Sequence, residues 1–385
     1  MRQPLHIIEP TLRSHDGHLS SLVSEFAALF GGPVIVHADR RSQELSIPGV
    51  EIVRRFPRRF RKLLLPWVYF RLLRARERIL VSTATTADFW SLRLAARLAN
   101  QATHRVTLFV HWYRHKPRKD RVMAAFARAH PDIALLAPTS GCAEMLRSCG
   151  FRNVTEVPYP FRFRSSQGET VSESDPRVLV AGGARRDKGF PHVVALIEHL
   201  ASRGLDLPFT VQVSGDHWGE YKDDISALVE RLRTARLPRL CTVPDALGPR
   251  EYEALFRGAI VLQPYESATF RDRVSGVTLD ALNAGSPIVA SAGTWTASIV
   301  ARFGCGVVCE SVGPTSLHAA IDAIRSRHPE FHRRACEARR ILGQELKDSP
   351  VGRILRGGAQ VPACMSGFEA APRSRAVLPP DDLPL

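Results

Sequence analysis

The chain has 385 residues, of which 44% are hydrophobic, and its formal net charge is +15. That length and composition fit a globular protein with two domains of ordinary size, and the absence of any run of eighteen apolar residues argues against a transmembrane helix. The first residues lack a signal-peptide pattern, and the seven cysteines are scattered, so we expect reduced thiols in the cytoplasm and no zinc site.

The excess positive charge lies in the first half of the chain. Residues 1–168 contain 27 Lys and Arg against 12 Asp and Glu, a net of +15, whereas residues 169–385 contain 26 of each, a net of zero. A basic half of this kind indicates an anionic partner, which could be a membrane surface, a nucleic acid or an anionic substrate.

The first half alternates short apolar strands with helices, which is typical of a doubly wound parallel sheet. The first helix is predicted at residues 19–30. The predicted strands lie at residues 5–8, 33–37, 78–82, 105–111, 133–137 and 154–157. Because ligands bind beyond the carboxyl ends of the strands in such sheets, we expect Gly17, His18 and His111 to face a cleft.

Residues 54–78 form a strongly basic segment, with ten basic side chains and one acidic one. Phe60, Leu64 and Trp67 recur at helical spacing, which suggests a helix that lies on an anionic bilayer. Arginines fall on the same face and a proline interrupts it, which favours instead a partly buried helix with solvated basic ends. The sequence leaves both interpretations open.

A polar stretch at residues 158–175 has no hydrophobic periodicity and is interpreted as the connection between two domains. A second doubly wound unit begins with an apolar strand at residues 177–180, and a basic helix is predicted at 331–346. The predicted divisions are an N-terminal domain at 1–168, a second domain at 176–345 and a final crossover segment at 346–385, with a disordered Pro-rich tail.

One stretch of the second half, residues 261–295, has the pattern of strand, loop, helix and strand. Ser275 and Gly276 open the helix, whose first amides have no partners within it and so form a site for phosphate. Asp272 lies in the loop and Asp280 about one turn inside the helix, so two carboxylates lie eight residues apart across this corner.

A second motif, Ala-Gly-Gly-Ala-Arg-Arg-Asp-Lys-Gly-Phe at residues 181–190, follows the first strand of the second unit and precedes a helix. Its glycines, including Gly183, let the backbone turn sharply. Arg185 and Lys188 place two cations near the loop, and Arg186 is the alternative for the arginine. Alone, this loop would be an ordinary turn with surface cations, and the acid pair alone would be solvated side chains.

Together the two motifs resemble the donor site of retaining GT-B glycosyltransferases of family 4. That family has two acids separated by seven residues, usually glutamates, where this chain has Asp272 and Asp280. The resemblance implies an α/β GT-B fold, in which two doubly wound Rossmann-like domains face a central cleft. It implies that Arg185 and Lys188 neutralise the diphosphate of a nucleotide sugar. By the same resemblance, Asp280 accepts hydrogen bonds from the ribose hydroxyls and Asp272 holds hydroxyls of the donor sugar.

The resemblance also implies roles for residues around these charges. The amides of Ser275, Gly276 and Val277 would face the phosphates. His111 would lie near the donor sugar and the acceptor, with a structural histidine as the alternative. Gly17 would be the small residue that lets the acceptor-side backbone approach the donor phosphates.

The sequence has no Asp-x-Asp metal motif, so we expect neither a metal ion nor another cofactor. It also lacks a Gly-x-Gly-x-x-Gly fingerprint in the first strand-to-helix turn, which argues against a dehydrogenase.

The resemblance therefore implies a metal-independent, retaining hexosyltransferase that moves a sugar from a nucleoside-diphosphate sugar to a glycan or lipid-linked acceptor. We expect it to be cytoplasmic, and residues 54–78 raise the further expectation of attachment to the inner face of the cell membrane. A sugar-nucleotide epimerase with the same fold is the alternative among enzymes. A basic nucleic-acid-binding protein is a weaker alternative, because no recognisable nucleic-acid-reading module accompanies the charge.

Overall fold

The computed structural model describes residues 3–14, 18–42, 45–101, 103–163, 175–215, 224–244 and 247–357. The predicted disordered tail, most of the predicted interdomain connection and Gly17 lie outside the described residues.

The first domain is a seven-stranded sheet in which every strand pair is parallel, in the order β3-β2-β1-β4-β5-β6-β7. Its strands are β1 (Leu5–Ile8), β2 (Val34–Asp39), β3 (Val50–Phe56), β4 (Arg78–Val81), β5 (Val106–Phe109), β6 (Ala134–Ala137) and β7 (Val154–Glu156). Its helices are α1 (His18–Phe30), α2 (Arg61–Arg74), α3 (Thr86–Ala99), α4 (Pro117–Ala129) and α5 (Ser140–Ser148).

The second domain is a six-stranded parallel sheet in the order β10-β9-β8-β11-β12-β13. Its strands are β8 (Val178–Val180), β9 (Phe209–Gln212), β10 (Leu240–Val243), β11 (Ile260–Gln263), β12 (Ile288–Ser291) and β13 (Gly306–Cys309). The helices that follow the first domain are α6 (Phe190–Ser202), α7 (Ile225–Thr234), α8 (Pro249–Phe256), α9 (Ser267–Phe270), α10 (Gly276–Asn283), α11 (Trp295–Phe303), α12 (Pro314–Arg325), α13 (His328–Asp348) and α14 (Val351–Leu355).

Helices cover both faces of each sheet, so the central strands are buried on both sides and have nearly continuous apolar sequences. All four residues of β1 and of β12 are buried, for example. Two apolar clusters flank each sheet, one on either face. This is the doubly wound arrangement that the alternation of elements predicted.

The end of the described chain returns to the first domain through α14. Helix α13, the predicted basic helix, packs on the second domain, where Ala335 and Ala338 are fully buried. Helix α14 then packs on α1 so closely that a Cβ atom on Gly352 would overlap the Leu29 carbonyl. Arg356 fixes this contact by donating to the carbonyls of Leu29 and Phe30 at 3.1 and 3.0 Å.

The basic segment at 54–78 is not one helix. Its first residues belong to β3, its last begins β4, and α2 lies between them with Pro66 inside. One face of α2 is buried on the sheet, whereas Leu63 and Trp67 are 75% and 48% exposed on the other. Leu64, predicted on the exposed face, packs against the core. None of the helices in the described residues is both long enough and apolar enough to span a membrane.

Candidate functional site

The two sequence motifs meet where the strand order of the second sheet reverses. The chain winds from β8 to β9 and β10 on one side, and from β11 to β12 and β13 on the other, so β8 and β11 are adjacent at the switch point. Loops that leave the carboxyl ends of such strands diverge and form a crevice, which is where ligands bind in open α/β sheets. The glycine-rich loop follows β8, and the loop with Asp272 follows β11.

Close backbone packing joins these two loops. Gly189 has a φ of 72°, and a Cβ atom on it would overlap the Pro264 carbonyl. Gly182 has a φ of 88°, and a Cβ atom there would overlap the Lys188 ammonium. The glycines therefore let the lysine side chain fold back over its own loop, toward the crevice.

Lys188 is the most perturbed cation of the site. Burial, followed by the repulsion of Arg185, lowers the pKa of its ammonium to about 8. The ammonium lies 6.0 Å from the centre of the Tyr265 ring, and Val277 at the start of α10 packs over Gly182 beside it. An ammonium held in this way gains more from a bound anion than a solvated one does, because its positive charge is incompletely compensated.

The structure separates the two candidate arginines. Arg185 makes a two-point ion pair with Asp187 and faces the same region as Lys188, whose pKa it lowers. Arg186 turns outward and pairs with Asp224 at the surface. Arg185 is therefore the arginine that lies at the crevice.

Arg273 is a third cation of the site, and the sequence reasoning assigned it no role. Its guanidinium lies 3.8 Å from the Asp187 carboxylate and stacks over the rings of Trp112 and Phe270 at 4.6 and 5.1 Å. Trp112 belongs to the first domain, so Arg273 also joins the two domains across the cleft. Its proximity to Asp272 in the sequence was the only available signal.

The start of α10 lies beside these cations. The Ser275 hydroxyl accepts a hydrogen bond from the Thr278 amide and caps the helix. Among the described residues, no acceptor is bonded to the amides of Gly276 and Val277. A Cβ atom on Gly276 would meet no atom within 4 Å, so the space beside the first residue of α10 is open. The geometry suits an anion that accepts from both amides.

Asp280 lies on α10, close enough to Lys188 for their charges to interact. Its carboxylate accepts a hydrogen bond from the Tyr252 hydroxyl at 3.4 Å, and burial raises the pKa of this carboxyl to about 7, with Tyr252 and Lys188 acting in the opposite direction. Tyr252, on α8, is a neighbour that sequence reasoning missed, because 28 residues separate it from the acid.

Asp272 lies at the boundary between the two domains. A Cβ atom on Gly141, in the first turn of α5, would overlap the Asp272 carboxylate, and the Thr139 hydroxyl donates to the Asp272 carbonyl at 3.4 Å. The acid therefore lies against the N-terminus of the first-domain helix α5. Asp272 and Asp280 thus occupy different environments.

His111 lies just beyond the carboxyl end of β5, as expected, and its ring stacks on Phe109 with ring centroids 6.4 Å apart. It directly precedes Trp112, so it belongs to the segment that contacts the second domain. Gly183 lies against the chain after β9, since a Cβ atom on it would lie 2.9 Å from the Gly215 carbonyl oxygen. The contact explains why this position needs glycine.

Glu9 is a buried acid at the same edge of the first sheet. Its carboxylate accepts hydrogen bonds from the hydroxyls of Thr11, Ser82 and Thr83 at 2.6, 2.8 and 2.6 Å, and burial raises its pKa. These bonds join the ends of β1 and β4 to the loop before α1.

Within the described ranges, no group of three or more His, Cys, Asp or Glu side chains is arranged to hold a metal ion.

The chain is similar to several solved structures over most of its length. The Anabaena protein Alr3699/HepE in complex with UDP-glucose gives a TM-score of 0.67 at 15% identity, over 92% of this chain and 98% of that chain. A sucrose-phosphate synthase from Thermosynechococcus elongatus gives 0.64 at 15% identity, over 91% and 97%. A glycosyltransferase from Rickettsia africae ESF-5 gives 0.61 at 10% identity, over 92% and 96%.

The fold is GT-B. The predicted fold class of two doubly wound α/β domains is confirmed. The sequence itself matches no model of a protein family and no curated protein. At such low identities the likeness establishes the fold, and the reaction has to be argued from the site.

Asp280 should make the stability of the ligand-free protein depend on pH. Its pKa of about 7 in the folded state lies above the value of 3.8 taken for an unperturbed Asp. The folded state therefore binds the extra proton, and stability falls as pH rises through about 7. Asp280→Asn should remove this loss. The difference in melting temperature, variant minus wild type, should therefore be more positive at about pH 8 than at about pH 5.

Asp224→Asn is the matched control, because the exposed Asp224 carboxyl pairs with Arg186 and its pKa is lowered. The difference in melting temperature between Asp224→Asn and wild type should not change over the same pH range. If Asp280→Asn behaved in the same way as Asp224→Asn, the perturbed environment assigned to Asp280 would be wrong.

Proposed function

We propose that this protein is a glycosyltransferase that moves a sugar from a nucleoside-diphosphate sugar to an acceptor held by the first domain. The observation that carries the proposal is the crevice between the loops after β8 and β11. There Lys188, Arg185 and Arg273 lie close together beside the open amides at the start of α10. A diphosphate is the anion that would compensate several cations and accept from the helix amides at once.

The donor assignment follows from this position of the diphosphate. Lys188 and Arg185 would bind it, with the amides of Gly276 and Val277, and the Ser275 cap would hold the helix start in place. Asp280, farther along the helix, would accept hydrogen bonds from the ribose hydroxyls. Alr3699/HepE, which has a similar fold, is in complex with UDP-glucose, so UDP is the first nucleotide to test.

The reaction separates a sugar from a diphosphate. The bond between the anomeric carbon and the diphosphate oxygen breaks, and its electron pair passes to the diphosphate. The acceptor hydroxyl oxygen forms a bond to the same carbon, and its proton passes to the leaving diphosphate. Because negative charge grows on that leaving group, Lys188 and Arg185 would stabilise the transition state more than the ground state.

The remaining assignments concern Asp272, at the domain boundary, and His111, at the edge of the first sheet. Asp272 would hold hydroxyls of the donor sugar, and His111 would lie near the donor sugar and the acceptor. Transfer with retention of configuration, membership of family 4 and independence from a metal ion are parts of the proposal that rest on the sequence motifs. The predicted role of Gly17 stays a prediction, as does a cytoplasmic location.

A thermal-shift panel with UDP, GDP, ADP and TDP tests the donor site directly. At about one hundred times its dissociation constant, the preferred nucleotide should stabilise the protein by roughly 2.7 kcal/mol. The shift should persist in excess EDTA. Lys188→Ala should weaken the nucleoside diphosphate much more than the corresponding monophosphate, because it removes a cation that binds the second phosphate.

Arg186→Ala is the control, since it removes a neighbouring positive charge that faces Asp224 and the solvent. It should leave the nucleotide affinity nearly unchanged. A binding signal that EDTA abolishes and manganese restores would overturn the metal-independent donor site. If the protein released free nucleoside diphosphate at the same rate with and without an acceptor, another reaction on the same fold would be favoured.

We also propose that the first domain attaches reversibly to anionic membranes through the outer face of α2. The exposed Leu63 and Trp67 lie on this face, and Arg55 and Arg71 stack on Trp67 at 5.7 and 5.0 Å from the ring centre. Basic residues near an anionic surface contribute about 1 kcal/mol each, so several of them suffice for a salt-sensitive attachment.

The protein should sediment with phosphatidylglycerol vesicles at low salt and leave them at about 0.5 M salt, where the screening length is only a few Å. Arg59→Gln, Lys62→Gln and Arg74→Gln together should abolish sedimentation, whereas Arg203→Gln with Arg236→Gln, on the second domain, should not. Attachment that survives high salt would mean that an apolar anchor, and not the basic face, holds the protein.

A further inference from the structure

A large cavity lies in the first domain, beside the two outermost strands β2 and β3 of the first sheet. Its volume is about 830 Å³, and four arginines contribute to its lining, together with one acid, one proline and one aromatic ring: Asp39, Arg40, Arg41, Pro57, Arg58, Arg59 and Phe60. These residues lie at the carboxyl ends of β2 and β3. His111 follows the carboxyl end of β5, so the cavity and His111 lie along the same edge of the sheet.

The single acid of the cavity does not pair with the guanidinium groups of Arg40, Arg41 or Arg59. The Asp39 carboxylate is buried, accepts a hydrogen bond from the Arg13 guanidinium at 3.1 Å and accepts another from the Arg41 amide at 2.9 Å. Among the described residues, no carboxylate lies within ion-pair distance of the guanidinium groups of Arg40, Arg41 or Arg59. The described residues of the cavity thus leave the positive charge of these three arginines uncompensated.

The backbone fixes these arginines around the cavity. The register between β2 and β3 shifts between Ala38 and Asp39, so the pairing of the two strands is irregular where they end. The Arg40 amide donates to the Phe56 carbonyl at 2.9 Å, which holds the segment after β2 beside the segment after β3. The Asp39 amide also donates to the Leu12 carbonyl at 3.1 Å, so the loop before α1 is tied to the cavity wall.

An exposed apolar surface begins at this cavity. Phe60 lines the cavity and is 57% exposed, and Leu63 and Trp67 continue along the same face of α2. The large apolar side chains that are exposed in the described part of the chain all lie on α2, at its start or on the neighbouring α3: Phe60, Leu63, Trp67, Trp90, Leu94 and Leu98. A cluster of exposed apolar side chains on neighbouring helices is typical of a site for an apolar partner.

We infer that the cavity binds the phosphate or diphosphate of a lipid-linked acceptor, with the lipid chain lying along Phe60, Leu63 and Trp67. The planar guanidinium groups match phosphate oxygens at two points each, and the apolar face starts where the anion would end. This assignment rests on the proposed glycosyl transfer, and it names the chemical class of the acceptor.

The position of the cavity also bears on the length of the acceptor. Three or four strand spacings separate β5, next to the reacting sugar, from β2 and β3, which is roughly 15–20 Å. The anionic group would therefore lie well away from the accepting hydroxyl, so the acceptor is an elongated molecule with its sugar end in the cleft.

Calorimetric titration of the full chain with geranyl diphosphate, a soluble anion with a short apolar chain, tests the inference without any turnover. The probe should bind more tightly than inorganic pyrophosphate, and geraniol should not bind measurably. Arg40→Gln with Arg59→Gln should weaken the probe by about tenfold or more, as expected for charge-assisted hydrogen bonds. Arg203→Gln with Arg236→Gln, the same charge change on the second domain, should have no effect.

A second comparison separates this cavity from the donor site. Lys188→Ala should weaken UDP and leave geranyl diphosphate unchanged, whereas the Arg40 and Arg59 double variant should do the reverse. If UDP did not bind, the proposed function would be refuted, whereas the binding of geranyl diphosphate to the cavity would still be tested by the double variant. Equal affinity for pyrophosphate and geranyl diphosphate would refute the lipid assignment, and a probe affinity that responds to Lys188→Ala but not to the double variant would refute the cavity.

Discussion

The Lys188 ammonium lies beside Arg185 and near Arg273, and the acids among them do not compensate all this charge. Burial, followed by the repulsion of Arg185, lowers the pKa of the lysine, so both effects make the charged ammonium unfavourable in the ligand-free protein. The surrounding geometry keeps them there: the loop glycines make room for the lysine, and Asp187 positions both guanidinium groups. An anion that enters this crevice removes the repulsion, so the same arrangement favours diphosphate binding and charge development on a leaving diphosphate.

The GT-B fold brings the parts of the site together from positions that are far apart in the sequence. The donor-side charges come from two loops at the switch point of one sheet, whereas Asp272 lies against the first turn of α5 in the other domain. Arg273 crosses the same boundary to stack on Trp112. The α14 helix, packed on α1, holds the end of the described chain on the first domain. Changes in the relative position of the two domains would therefore alter the surroundings of both Asp272 and Arg273.

The sequence was sufficient for the doubly wound fold and for the two motifs, because apolar strands and glycine turns are local signals. It was not sufficient for the contacts that set the electrostatics. Tyr252 lies 28 residues from Asp280, and Trp112 meets Arg273 only after two domains have folded. Strand β3 was missed because its partly exposed sequence, with two arginines, merges with the basic segment after it. The choice between Arg185 and Arg186 also depended on the direction of side chains, which a short helical turn decides.

Proton uptake on nucleotide binding tests the central claim most directly. At about pH 8.5 the Lys188 ammonium should be largely deprotonated in the free protein, and a bound diphosphate should raise its pKa and draw a proton from the buffer. Calorimetry of UDP binding in buffers with different ionisation enthalpies should therefore show uptake of a large fraction of one proton, with little uptake for uridine and none for Lys188→Ala. Binding of UDP without proton uptake, or with equal uptake in Lys188→Ala, would contradict the placement of the diphosphate at Lys188.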